Sequence, residues 1–307
     1  MIAPKSDSLT GRIVCGTDFS LLAAEAAHAA AAVTMRLKQP LLLVPAPPKN
    51  WHDELFESAQ DWLGALVREK LSAEAARLRL LGATVEERML DVLSEKSMTE
   101  LLRDCGAALV MIGATERELM KRCLVGDAVD ALAEWSPIST VLVRAALPFQ
   151  EWTRGKRPLR VLVACDPAES SEVALGCARE LRRVAPCEVT VGYALDDSAE
   201  GDSDLAVKGK ISALLGDENV DLLVMHGAFD VHRRMLELAQ ETQPDLLVVG
   251  PPQHHDFTPW PHLSVARTVL RHFPLNVICA PMRVAPLRTR TPAPIATAMP
   301  ASLALAL

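Results

Sequence analysis

Two short apolar runs, RIVCGTD and RVLVACD, each end in an acidic residue and open into a helix-type sequence. Their acidic residues, Asp18 and Asp166, stand 148 positions apart. Two further runs, ALVMIG and DLLVVG, end in Gly113 and Gly250, which are 137 positions apart. Two more follow a proline: PISTVLV from Pro137 and PLNVICA from Pro274, again 137 apart. One order of landmarks, repeated at a nearly constant shift, is the signature of a duplication. The chain therefore divides near residue 150 into a first unit at 1–148 and a second at 149–285. Residues 286–307, rich in Pro, Ala and Thr, are expected to form a tail without fixed structure.

Within each unit strands alternate with helices. The first unit predicts strands at 12–17, 40–46, 84–90, 107–113 and 138–144, with helices at 20–37, about 52–80, about 96–105 and about 127–135. The strands are near-continuous Val/Ile/Leu runs, which fit a parallel sheet covered on both faces. The fold class that follows is α/β, with two tandem doubly wound parallel-sheet domains of Rossmann-like type. From Trp51 to Leu81, Leu55, Phe56, Trp62, Leu63, Leu66 and Val67 recur at helical spacing and predict one buried stripe. The second unit repeats the plan with CEVTVGYAL, a polar stretch DDSAEGDSDLA expected to be mobile, a helix at 205–215, the strand VDLLVMHG and the helix DVHRRMLELAQET. LPFQEWTRGKRP, with its glycine, two prolines and mixed charge, has the character of a linker.

Composition narrows the function. Of 307 residues 50% are hydrophobic and the net charge is −7, so the chain has ample material for cores and repels a phosphate backbone; nucleic-acid binding is not expected. The seven cysteines form no CxxC pair and several lie in apolar runs, as small hydrophobes do in a reducing compartment. The start lacks an apolar secretory segment, and no apolar stretch approaches the roughly 20 residues that span a bilayer. A cytoplasmic protein without membrane contact is the expectation.

Open parallel sheets bind ligands beyond the carboxyl ends of their strands, where the strand order reverses. Asp18, Asp166, Gly113 and Gly250 fall at such ends. This arrangement, with its final Pro-led strand, resembles the universal stress protein family over nearly all of residues 10–282, once per unit. Membership implies a fold related to the adenine nucleotide alpha hydrolases. It also implies a loop G-x2-G-x9-G-[ST] that wraps an ATP triphosphate, and an Asp after the first strand on the adenine side. Here Gly113 and Gly126 fit the first and third loop positions, while Glu116 and Asp127 stand at the second and last. Asp127 opens a helix, where its carboxylate would cap the end that a phosphate otherwise uses, although Lys121 and Arg122 lie in the same loop. In the second unit Gly250 and Ser264 fit, but Gln253 and Leu263 replace glycines, and Pro251, Pro252, Pro259 and Pro261 offer no N–H. The candidate nucleotide positions are thus Asp18, Gly113, Gly126, Asp127, Asp166, Gly250 and Ser264, in two degenerate motifs. The first unit is expected to be the more ligand-competent and the second structural.

Simpler roles stand beside these. Asp18 and Asp166 both precede helices and suit caps; Pro167 after Asp166 is a favoured first helical residue. His254, His255 and His262 cluster in one loop, but their spacing matches no structural zinc pattern and no metal site is assigned. His226 follows a strand and either faces the cleft or packs there. The sequence holds no nucleophile elbow, P-loop, CxxC or HExxH, and Ser170 and Ser171 have no evident base, so no catalytic residue is assigned. The expectation is a non-catalytic stress-response or regulatory protein that binds a protein partner or a small ligand. It requires no cofactor and admits ATP or AMP. Its two Pro-led strands would pair within the chain as a pseudo-dimer, with a homodimer as a further step. One alternative is an ATP- or AMP-dependent switch through the first unit. Another is a nucleotide hydrolase, disfavoured because TDFS and CDPAES do not supply an SGGxDS loop. A third is a flavin-carrying electron-transfer subunit.

Overall fold

Strand residues of this chain bury alternately on two opposite faces, which is why the runs are apolar throughout. Ile13 and Cys15 enter one core layer and Val14 the other; Leu41 and Leu43 part from Leu42 and Val44 in the same way. The computed structural model describes residues 11–45, 57–90, 95–114, 136, 138–165, 169–195, 204–216, 221–226, 231–250 and 274–281.

The described strands are β1 (Arg12–Thr17), β2 (Leu41–Pro45), β3 (Val85–Glu87), β4 (Ala107–Gly113), β5 (Ser139–Val143), β6 (Leu159–Cys165), β7 (Cys187–Leu195), β8 (Asp221–His226), β9 (Leu246–Val249) and β10 (Asn276–Cys279). The helices are α1 (Leu21–Leu37), α2 (Glu57–Leu80), α3 (Glu95–Asp104), α4 (Leu147–Thr153), α5 (Glu169–Val184), α6 (Asp204–Leu215) and α7 (Val231–Thr242). All ten strands form one sheet in the order β3-β2-β1-β4-β5-β10-β9-β6-β7-β8. Neighbours are parallel except β5 and β10, which pair antiparallel. Each unit contributes five strands in the same relative order. At the seam Val141 stands opposite Ile278, its own counterpart 137 positions later, so a local two-fold axis passes through the pair. The two Pro-led strands therefore pair within the chain. On one face, α1 and α5 meet across the same seam, where the Arg36 Nε donates to the Val184 carbonyl at 3.2 Å, 148 positions away.

The two core layers run through both units. The first joins α1, α2, α4, α5 and α6 to the sheet; the second holds α3 and α7. Helix α1 is sandwiched because its alanines at 26, 27, 29 and 30 are fully buried and let other backbones approach. Ser20 caps its start, accepting from the Ala23 N–H at 3.1 Å, and Lys38 ends it in a left-handed turn at φ 55°.

Two expectations need correction. LPFQEWTRGKRP begins as helix α4, with proline in its first turn and with Phe149 and Trp152 fully buried in the shared layer. The connection is a wedge in the core, not a loose strap. The buried stripe of α2 includes Val67, as expected, but continues along Leu71, Ala75 and Leu78, while Leu63 and Leu66 are half-buried and Trp62 is 67% exposed. Alanine served as a core residue there, which a search for large apolar residues passes over. Leu55, Phe56, the helix expected at 127–135 and the tail lie outside the described residues, as does 196–203 of the polar stretch; its last residues begin α6 at Asp204.

Polar groups lock the seam. The side-chain oxygen of buried Asn276 accepts from the Arg144 and Ala145 N–H groups at 2.8 and 3.1 Å, and its amide donates to the Asp245 carbonyl at 3.0 Å. Glu25 of α1 accepts from the Ala146 N–H at 2.7 Å and thereby ties the start of α4 to the first unit. Asp245 is 7% exposed and gathers Arg157, Arg160 and the Arg160 N–H, while Arg157 also reaches Glu151 at 2.7 Å.

Candidate functional site

Between β1 and β4 the chain departs in opposite directions, toward β2 on one side and β5 on the other. This reversal opens a crevice beyond the carboxyl ends of the two strands, and Asp18 and Gly113 are placed there. In the second unit β6 and β9 make the same reversal, with Gly250 at the end of β9. Asp166, Gly126, Asp127 and Ser264 lie outside the described residues, as do Glu116, Lys121, Arg122 and the cluster of His254, His255 and His262. Because β1 and β4 pair side by side, Asp18 and Gly113 stand at the carboxyl ends of neighbouring strands.

The turn after β1 is tightly held. Thr17, 2% exposed, accepts from the Phe19 N–H at 3.0 Å through its hydroxyl oxygen. Asp18 Oδ1 accepts from the Ser20 N–H at 2.9 Å. Phe19 between them has φ 63°, a left-handed conformation that a bulky residue rarely adopts. Asp18 therefore fastens the turn ahead of the helix, while Ser20 is the N-cap.

Gly113 has a packing reason to be glycine. A Cβ built on it would stand 2.5 Å from both the Leu22 carbonyl carbon and the Ala23 nitrogen. The end of β4 thus touches the first turn of α1 backbone to backbone. Gly113→Ala is expected to push α1 from the sheet and cost about 1–3 kcal/mol, read as a fall in the midpoint of denaturant unfolding. An unchanged midpoint would show that α1 shifts freely.

Beside this crevice, between α1 and α2, lies an open cleft of about 320 Å³. Its lining includes Thr17, Phe19 and Ser20 from the β1 turn, and Lys70, Glu74 and Arg77 from α2. The Lys70 Nζ lies over the Phe19 ring, 5.8 Å from its centroid. Arg77 pairs with Glu74 and also contacts His28. Burial, followed by the Arg77 charge, holds the His28 imidazole below its ordinary range, so the ring is neutral at pH 7. Sequence reasoning did not single out Lys70, Glu74 or Arg77. Their spacing along one helix face was the available signal, and a solvated charged face gives the same pattern.

Cysteine chemistry is quiet among the described residues. Cys15, Cys165 and Cys279 are buried, and burial pushes the Cys187 and Cys279 thiols up to about 12 and Cys15 higher still. Cys123 lies outside the described residues. No cluster of potential metal ligands occurs among the described residues, and no described helix is long and apolar enough to cross a membrane.

The fold defines the class: a doubly wound α/β protein whose two halves share one sheet, each with a strand reversal. Residues 10–144, the first unit, match the Universal stress protein family. A universal stress protein of Archaeoglobus fulgidus DSM 4304 superposes with a TM-score of 0.66 at 16% identity, over 90% of this chain and 99% of that one. A functionally unknown protein of Pseudomonas aeruginosa PAO1 superposes with a TM-score of 0.52 at 18% identity, over 88% and 92%. At these identities the likeness is one of fold. No curated protein matches the chain in sequence.

Proposed function

We propose that the chain is a tandem, two-unit stress protein of non-catalytic, regulatory type, dividing near residue 148, whose first unit binds a small ligand and so alters its association with a protein partner. The observation that carries this reading is the first unit's strand reversal between β1 and β4, where Thr17 and Asp18 hold the turn after β1 and an open cleft lined by Lys70 and Arg77 lies beside that turn. The second unit serves as scaffold, because its loop after Gly250 is proline-rich and lacks two of the family's glycines. The degenerate motifs, with Asp127 where the family has a hydroxyl, make ATP and AMP weak ligands at best, and the fold's relation to hydrolases does not extend to a phosphate-cleaving loop. In this reading the protein works in the cytoplasm, and any homodimer adds to the intrachain pairing of β5 and β10.

The test is incubation of the purified chain with ATP and AMP, following both phosphate release and the thermal unfolding midpoint. The expected outcome is no release above buffer and at most a small upward shift at millimolar nucleotide, removed by Asp18→Ala. Sustained release that is lost in Asp18→Ala would make the protein an enzyme and overturn the reading.

A further inference from the structure

The cleft between α1 and α2 is rich in hydrogen-bond donors for a reason visible in its bonding. Thr17 and Ser20 each use an oxygen lone pair to accept a backbone N–H, from Phe19 and Ala23 respectively. A hydroxyl that accepts in this way keeps its O–H free to donate. Both residues line the cleft, Thr17 from an almost fully buried position and Ser20 from a half-buried one. Lys70 adds an ammonium with three donors and has no carboxylate partner among the described residues. The lining carboxylate, Glu74, is already bound by Arg77. The local balance is one net positive charge in a chain of net charge −7. Donors without acceptors, with a surplus cation, select an anion.

The apolar part of the lining is Phe19, Ala24 and Ala73. The Phe19 ring forms part of it, held in place by a backbone conformation that costs energy. A strained residue persists only where its surroundings fix it, and here the Thr17 and Asp18 side chains do so on either side. The device belongs to one unit. The position 148 residues after Phe19 is Pro167, and a proline ring excludes the left-handed region.

We propose that this cleft is a binding site for a small organic anion with an apolar body: Lys70 and the Ser20 hydroxyl hold the charged head, and the body lies against the apolar lining of Phe19, Ala24 and Ala73. The proposal deepens the reading of the first unit as the ligand-binding one. It places the ligand on the α1/α2 side of the turn, apart from the Gly113 loop.

The experiment measures binding of phenyl phosphate, inorganic phosphate and phenol to the full chain by equilibrium titration with ligand-observed NMR. Phenyl phosphate is expected to bind saturably at one site, more tightly than phosphate, and phenol not at all. Lys70→Glu is expected to weaken phenyl phosphate at least tenfold while leaving the unfolding midpoint unchanged, since Lys70 is exposed. Ala73→Leu, which fills the cleft from α2, is expected to block the probe by volume alone. No saturable binding, or binding indifferent to both variants, overturns the proposal. The two readings fail separately. Phenyl phosphate bound through Lys70 without any nucleotide response sustains the cleft alone. Nucleotide binding lost in Asp18→Ala, with phenyl phosphate ignored, sustains the crevice and sinks the cleft.

Discussion

Replacing Trp152 with alanine is expected to lower the unfolding free energy by about 3–5 kcal/mol, the range for deleting a fully buried large aromatic. Trp152 is 1% exposed and, with Phe149, forms the buried side of α4. That helix packs against α1 of the first unit and belongs to the same core layer as β6 and α5 of the second. The cavity would open where the two units share their packing, so the loss should be felt by both. Denaturant unfolding followed by far-ultraviolet circular dichroism and by fluorescence measures this. Coincident transitions, displaced together, are the expected result. Trp152→Phe should cost less than the alanine variant, because most of the volume is kept. A loss below about 1 kcal/mol for alanine, typical of a surface position, would mean that α4 does not wedge the units as described.

Removing the Asp245 carboxylate should produce the second largest effect. Burial by itself would raise the carboxyl's pKa, but hydrogen bonds from Arg157 and Arg160 overcome this and hold it below the usual aspartate range. A folded-state value below the unfolded one stabilises the fold wherever the unfolded aspartate is ionised. The contribution is complete above about pH 4 and fades as the pH falls through the folded value. Asp245→Ala leaves Arg157 and Arg160 without their shared partner. Both are partly exposed, so water softens the loss to about 2–3 kcal/mol at pH 7. Stability measured from pH 7 down to pH 2 should show the native and variant curves converging in acid. Parallel curves over that range would show that the ion cluster contributes nothing through its charge.

The strands were legible because burial on both faces makes every position apolar, and RIVCGT and LLLVP carry that pattern without interruption. The duplication also foretold which strands meet at the centre, since like edges of two copies pair around a two-fold axis. Helix α4 was not legible as core. The prolines, glycine and charges of LPFQEWTRGKRP suggested a loop, although Pro148 suits a helix's first turn and Phe149 and Trp152 stand one turn apart. In α2 the stripe was right at Val67 and wrong at Trp62, because Ala75 had no weight in the pattern while Trp62 had much. Asp18 and Gly113 were legible as strand ends, but what they do depends on the folded chain: a turn fastened to Ser20, and a backbone contact with α1. Lys70 and Arg77 enter from a helix some 50 residues away, and no local motif announces a residue that reaches a site through folding alone.

The central claim is that one unit of this duplicated chain carries the ligand and the other supports it. Mass spectrometry of small molecules released from the purified, denatured chain, quantified against protein, tests it most directly when run beside Lys70→Glu and Asp18→Ala. The account predicts at most one small anion per chain, depleted in a first-unit variant. Two equivalents per chain, or one that survives both changes, would place ligand in the second unit and contradict it.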